Sequence, residues 1–168
     1  MSADLSIKCS QELKTKELIM EIENSLKILL PIFPMFKVTI KTIRNNSKSS
    51  FNEDLLGKDK QHFLIETVGY DGIVSLTFIN IEYQPPYVSI EESGIWAGVC
   101  VEYKKNSWEF ILAAAVAIAI AKLQNSKVID DGCIWNRVFE QTPTEFIKSI
   151  LSDNKFIEYR NEIIEKLT

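Results

Sequence analysis

Polar and apolar positions along this chain follow two periods, and one long stretch follows neither. Leu18, Ile19, Ile22, Leu26, Leu29 and Leu30 recur at helical steps, with Glu12, Lys16, Glu23 and Lys27 opposite them. That spacing predicts an amphipathic helix over Gln11–Leu30, with Ser10 as N-cap and Pro31 as its end. Phe36, Val38 and Ile40 then alternate with Lys37, Thr39 and Lys41, the period of a half-buried strand over Phe36–Ile43. Residues 1–10 read as a lead-in, Arg44–Ser50 as a polar loop, and Phe51–Leu56 as a short helical turn closed by Gly57.

His62–Gly69 and Ile73–Tyr83 are β-branched and aromatic runs joined through Tyr70-Asp71-Gly72, where the DG step signals a hairpin. The second run is apolar on both faces, as expected of a strand central in its sheet. Gln84-Pro85-Pro86 breaks the ladder. Tyr87–Ile90 reads as a short strand turned at Glu91–Gly94, and Ile95–Tyr103 as another, with Gly98 leaving room for a neighbour's side chain.

From Phe110 to Ala121 the pattern has no polar position: twelve residues in a row are apolar and six of them are alanine. A helix apolar all round is covered on most sides, and alanine lets neighbouring backbone approach closely. The run predicts a buried central helix with Asn106 or Ser107 as N-cap, ending near Asn125. Asn106 and Glu109 stand at capping-box spacing. Val128–Ile129 suggests a short strand before the Asp130-Asp131-Gly132 turn, and Cys133–Phe139 fits strand and helix equally. Thr142-Pro143-Thr144-Glu145 combines N-cap, proline at the first helical position and glutamate at the third, starting a helix to about Leu151. Ser152-Asp153-Asn154 interrupts, and Phe156, Ile157, Ile163, Ile164 and Leu167 outline a last amphipathic helix. The architecture expected is α+β over residues 1–168 as one domain. An antiparallel sheet of about four to five strands is accompanied by an N-terminal helix, the Ala-rich central helix and C-terminal helices.

Composition narrows the class. An apolar fraction of 46% and a charged fraction of 25% are those of an ordinary globular protein. Cys9, Cys100 and Cys133 are odd in number and widely spaced, which argues against a disulfide framework and for a reducing, cytoplasmic setting. The opening MSADLSIKCS has no apolar core, so no signal peptide is expected. The Phe110–Ala121 run falls short of the ~20 apolar residues that span a bilayer, so no membrane partner is expected.

Charge is unevenly placed. Residues 61–103 hold Glu66, Asp71, Glu82, Glu91, Glu92 and Glu102 with no Lys or Arg, while the remainder is close to balanced around a net charge of −4. A block of one sign repels nucleic-acid phosphates and attracts a basic partner. These six acids, together with Trp96, Asp130 and Asp131, are the candidate partner-binding residues.

Catalytic chemistry is sparse. The chain has one histidine, His62, with no nucleophile beside it in sequence. No cysteine–histidine cluster has zinc spacing and no glycine loop cradles phosphate, so no cofactor is expected. Cys100 and Cys133 read as structural, Cys133 because the neighbouring acids would raise its pKa. Asp130 and Asp131 could hold a divalent cation or an arginine, although Asp and Gly are also good turn formers. Trp96 and Trp135 are read either as interface anchors or as core.

The run WEFILAAAVAIAIAKLQNSKVIDD, an alanine-rich helix followed by a short hydrophobic segment and an acidic turn, resembles the immunity proteins of contact-dependent growth inhibition and related polymorphic toxin systems. The resemblance covers about residues 95–135. It implies a small non-enzymatic protein that binds one cognate toxin domain, often a basic nuclease, and blocks it; it assigns no binding residue. Two alternatives stand beside it: an acidic secretion chaperone, often dimeric, and a small metal-dependent enzyme using the Asp130-Asp131 turn or His62. The pattern leaves the oligomeric state open.

Overall fold

The computed structural model describes residues 3–33, 35–44, 47–50, 55–101, 105–130, 135 and 139–167. In chain order it contains β1 (Ala3–Cys9), β2 (Leu13–Lys14), α1 (Thr15–Leu29), β3 (Val38–Arg44), β4 (Ser47–Ser50), β5 (Leu55–Leu56) and β6 (His62–Thr67). These are followed by β7 (Ile73–Ile81), β8 (Gly94–Val101), α2 (Ser107–Leu123), β9 (Val128–Asp130), β10 (Glu140–Gln141), α3 (Pro143–Leu151) and α4 (Asn154–Leu167). The class is α+β. Among the described residues the main sheet has eight strands in the order β10-β9-β1-β8-β7-β6-β3-β4, more than the four to five expected, and its pairings are antiparallel.

The additional strands are short or paired across long sequence distances. β1 arises where a lead-in was expected, and it lies inside the sheet between β8 and β9. Its Leu5, Ile7 and Cys9 are buried beside Val99, Ala97 and Ile95 of β8. The alternation is present in ADLSIKC, but seven residues without a local hairpin partner carry little signal. Pairing of Leu13–Lys14 with Leu55–Leu56 also delays α1, which starts at Thr15 rather than Gln11. Ser10 is not its cap: the backbone N–H groups of Ser10 and Gln11 donate to Oε1 of Gln124 at 2.8 and 3.1 Å. The expected helical turn at 51–56 yields only β5 at its end, and residues 51–54 lie outside the described residues. Tyr87–Ile90 forms no strand beyond a Gln84–Val88 bridge.

α2 is the helix the alanine run predicts. Asn106 caps it by accepting the Glu109 N–H at 2.9 Å, and every residue from Ile111 to Ala121 is buried. It packs on β1, β7 and β8 on one side and on α1, α3 and α4 on the others. Alanine side chains make this three-sided contact possible, because larger ones would hold the sheet and helices apart. The inner sheet face supplies Leu5, Ile7, Phe63, Ile65, Leu76, Phe78 and Val99 to this core.

The β6–β7 hairpin turns through Val68–Gly72. The residue with positive φ is Gly69, at 86°, where a side chain would be strained. Gly72 is small for another reason: a Cβ there would stand 2.7 Å from Cγ of Glu109 and 3.2 Å from Cδ1 of Trp108. The turn is pressed against the first turn of α2. Thr142 and Glu145 complete the expected capping box at the start of α3.

Candidate functional site

Strand alternation sends Ser6, Lys8, Thr77, Ile79, Ile81, Trp96 and Gly98 to the sheet face opposite α2. In the register Ser6 pairs with Gly98 and Gly98 with Thr77, while Trp96 pairs with Ile79. Two small residues thus lie side by side next to two large apolar ones, which leaves a depression in the sheet surface. Ile129 of β9 extends the floor beyond Ser6.

The walls come from outside the sheet. Tyr87, Val88 and Glu92 of the β7–β8 connection stand on one side, and Phe139, just before β10, on another, enclosing about 580 Å³. Ile79 is 53% exposed, Phe139 56% and Tyr87 85%, with Ile90 at 72% on the same connection. Contiguous exposed apolar side chains of this size mark interaction surfaces more often than singly scattered ones. β7 is apolar on both faces, as its sequence shows, and it does lie between β6 and β8. Its second apolar face, however, is open to solvent at Ile79 and Ile81. Gly98 does leave room, and that room is the depression.

The β7–β8 connection is tied down at several points. The Trp96 indole N–H donates to the Glu92 carbonyl at 2.9 Å, and Lys8 Nζ donates to the Glu91 carbonyl. The Ser89 N–H donates to the Glu92 carboxylate at 2.9 Å, and the Glu92 N–H donates to the Ser89 hydroxyl oxygen at 3.2 Å. The backbone bond from Ser89, and then its side chain, hold the Glu92 carboxyl below the usual glutamate value. Glu92 therefore stays ionised at the rim of the depression.

The candidate acids do not form one surface. Glu82, Glu91 and Glu92 are exposed at the end of the sheet where β7 leaves and β8 enters, since Ile81 pairs with Gly94. Asp71 is exposed at the opposite end of β7, and its carbonyl accepts Nδ2 of Asn106 at 2.6 Å. The nine residues of β7 separate these two groups by about 30 Å. Glu66 lies near the Asp71 end and pairs with Lys41 at 2.5 Å. Asp130 is buried and accepts the Trp135 N–H at 2.9 Å. Glu102 and Asp131 lie outside the described residues, as does Cys133. Trp96 is half-buried beside the depression, whereas Trp135 is core, edge-to-face with Phe110, Phe156 and Tyr159.

No protein-family model, curated protein or solved structure matches this chain. His62 Nε2 stands 3.1 Å from Ser75 Oγ, but Ser75 is 2% exposed, so a substrate has little access to that hydroxyl. Among the described residues no three His, Cys, Asp or Glu side chains gather where they could hold a metal ion, and no helix is long and apolar enough to cross a membrane.

Residues that sequence reading missed are Ser6, Ile79, Ile81, Tyr87, Val88, Ile129 and Phe139. Ile79 and Ile81 had a signal, the two-faced apolarity of their strand. The others are single residues from distant segments that only sheet register brings together.

Proposed function

We propose that this chain is a non-enzymatic binding protein of the immunity type, acting in the cytoplasm to neutralise a basic toxin domain through the open face of its sheet. The observation that carries this reading is the apolar depression beside the rigidly held, three-carboxylate end of the β7–β8 connection. Apolar anchors supply affinity when a partner buries them. Carboxylates of one sign speed encounter with Lys- and Arg-rich surfaces and set the salt dependence. Glu82, Glu91 and Glu92 share one end of the sheet, where Ile81 pairs with Gly94; Glu66, paired with Lys41, and Asp71 lie toward the other end.

The test is co-expression with the variable C-terminal toxin domain of a secreted protein encoded beside this chain. Growth should be restored, and the purified pair should associate more slowly as salt is raised. A toxin that remains equally lethal in the presence of this chain refutes the reading.

A further inference from the structure

We infer that the depression is a socket for one large apolar side chain, carried on a partner segment whose neighbouring residues are Lys or Arg. The inference rests on the binding role proposed above for the same face, and it specifies how that face reads its partner.

Backbone pairing is not available to the incoming segment. At the floor, Gly98 and Trp96 of β8 are paired with both β1 and β7, and Ser6 of β1 with both β8 and β9, so these backbone groups are already used in the ladder. A partner cannot add as a strand there. It must be recognised by side chains crossing the sheet face.

The shape of the floor then selects the side chain. Gly98 and Ser6 are adjacent across β8 and β1, with Trp96 and Ile79 adjacent across β8 and β7 next to them. Among the described residues, a Cβ added at Gly98 would find only the Thr77 carbonyl oxygen within 4 Å, at 3.8 Å. That is empty space above a flat glycine, walled by large apolar groups. A volume of about 580 Å³ takes a large aromatic or branched aliphatic side chain together with the residues that flank it.

The rim selects the charge. Glu82, Glu91 and Glu92 are exposed at one end, and the stretch from residue 61 to 103 contains no Lys or Arg. Lys8, on the same sheet face, has its Nζ turned to the Glu91 carbonyl. A second copy docking through the same face would bring like charge to that rim, so a basic segment of another protein is the occupant that fits.

Two short peptides test this directly: one carrying a single tryptophan flanked by arginines, and a counterpart flanked by glutamates. The wild-type protein should bind the arginine form saturably and about tenfold or more tightly than the glutamate form. Gly98→Phe, which fills the socket from its own floor, should weaken binding about tenfold or more. Glu82→Lys with Glu91→Lys should weaken it and flatten its salt dependence; Glu92 is left intact because it holds the connection through Ser89. Circular dichroism confirms that each variant is folded. Absence of saturable binding to the wild type overturns the inference, and so does equal affinity for both peptides or unchanged affinity of folded Gly98→Phe. If the peptide pattern holds while the toxin stays lethal, the immunity role fails and the socket stands. If the toxin is neutralised and its complex is indifferent to Gly98→Phe, the socket fails and the immunity role stands.

Discussion

The buried carboxylate of Glu109, at the third position of α2, accepts the backbone N–H of Ile73 at 2.9 Å and that of Lys105 at 2.6 Å. Its first oxygen thus fastens the beginning of β7 to the beginning of α2, and its second closes the turn that leads into the helix. Asn106 reinforces the same junction, accepting the Glu109 N–H and donating to the Asp71 carbonyl. The sheet and the central helix are locked together at this end.

Removing that carboxylate strands two N–H groups. Ile73 is half-buried and Lys105 exposed, so water can satisfy part of what is lost, and Glu109→Ala should lower stability by about 1–3 kcal/mol, seen as a lower urea midpoint with unchanged slope. Glu109→Gln keeps one acceptor oxygen and should cost less. Equal loss in the two variants would mean that packing, not hydrogen bonding, dominates at this position.

Gly72 and Gly98 should respond oppositely to the same methyl group. At Gly72 the new Cβ meets Cγ of Glu109 at 2.7 Å, and that side chain is pinned at its far end. Overpacking of this kind costs about 1–3 kcal/mol. At Gly98 the new Cβ would stand 3.8 Å from the Thr77 carbonyl oxygen, an ordinary contact, and Ala in a strand interior gains up to about 1 kcal/mol over Gly. Thermal unfolding of Gly72→Ala and Gly98→Ala checks the contrast; a loss at Gly98 as large as that at Gly72 contradicts the open floor.

Glu92 should titrate below the ordinary glutamate value because Ser89 hydrogen-bonds its ionised form. The sign follows: this contact favours the folded connection above the ordinary carboxyl value and is lost as pH falls through the lowered one. Ser89→Ala should move the Glu92 midpoint upward by carboxyl NMR titration, toward the ordinary value. A midpoint that does not move would leave the backbone N–H of residue 89 as the whole cause.

Cys9 gives a second pH signature at the other end of the scale. Burial pushes its thiol from 9.0 up to about 11, against a smaller opposing pull from a backbone hydrogen bond involving Ala97. The neutral thiol is favoured in the fold, so the contribution is complete below pH 9.0 and lost as pH climbs through about 11. Its full size is roughly 2–3 kcal/mol. Stability curves of wild type and Cys9→Ala should therefore converge over that window; parallel curves would show that Cys9 does not carry the effect.

Local patterns were enough for much of the scaffold. The three- and four-residue spacing of Leu18 to Leu30 identifies α1, the unbroken apolar run identifies α2 as buried, and Thr142 to Glu145 identify the start of α3. In each case the determining contacts fall within a few residues of one another. Helix periodicity, cap spacing and the DG step are visible in sequence for that reason.

What only the tertiary structure decided is pairing between distant segments. β1 enters the middle of the sheet because Leu5 and Ile7 find Val99 and Ala97, ninety or more residues away by number, and no local pattern announces such a partner. The acidic block reads as continuous in sequence, yet an extended strand carries its two halves to opposite ends of the sheet, with Asp71 at one and Glu82 at the other. Conversely, Ser6, Gly98, Ile129 and Phe139 are scattered in the chain and meet at one depression. Sheet register places side chains by partner rather than by neighbour, and so the scaffold is legible in sequence while the candidate site is not.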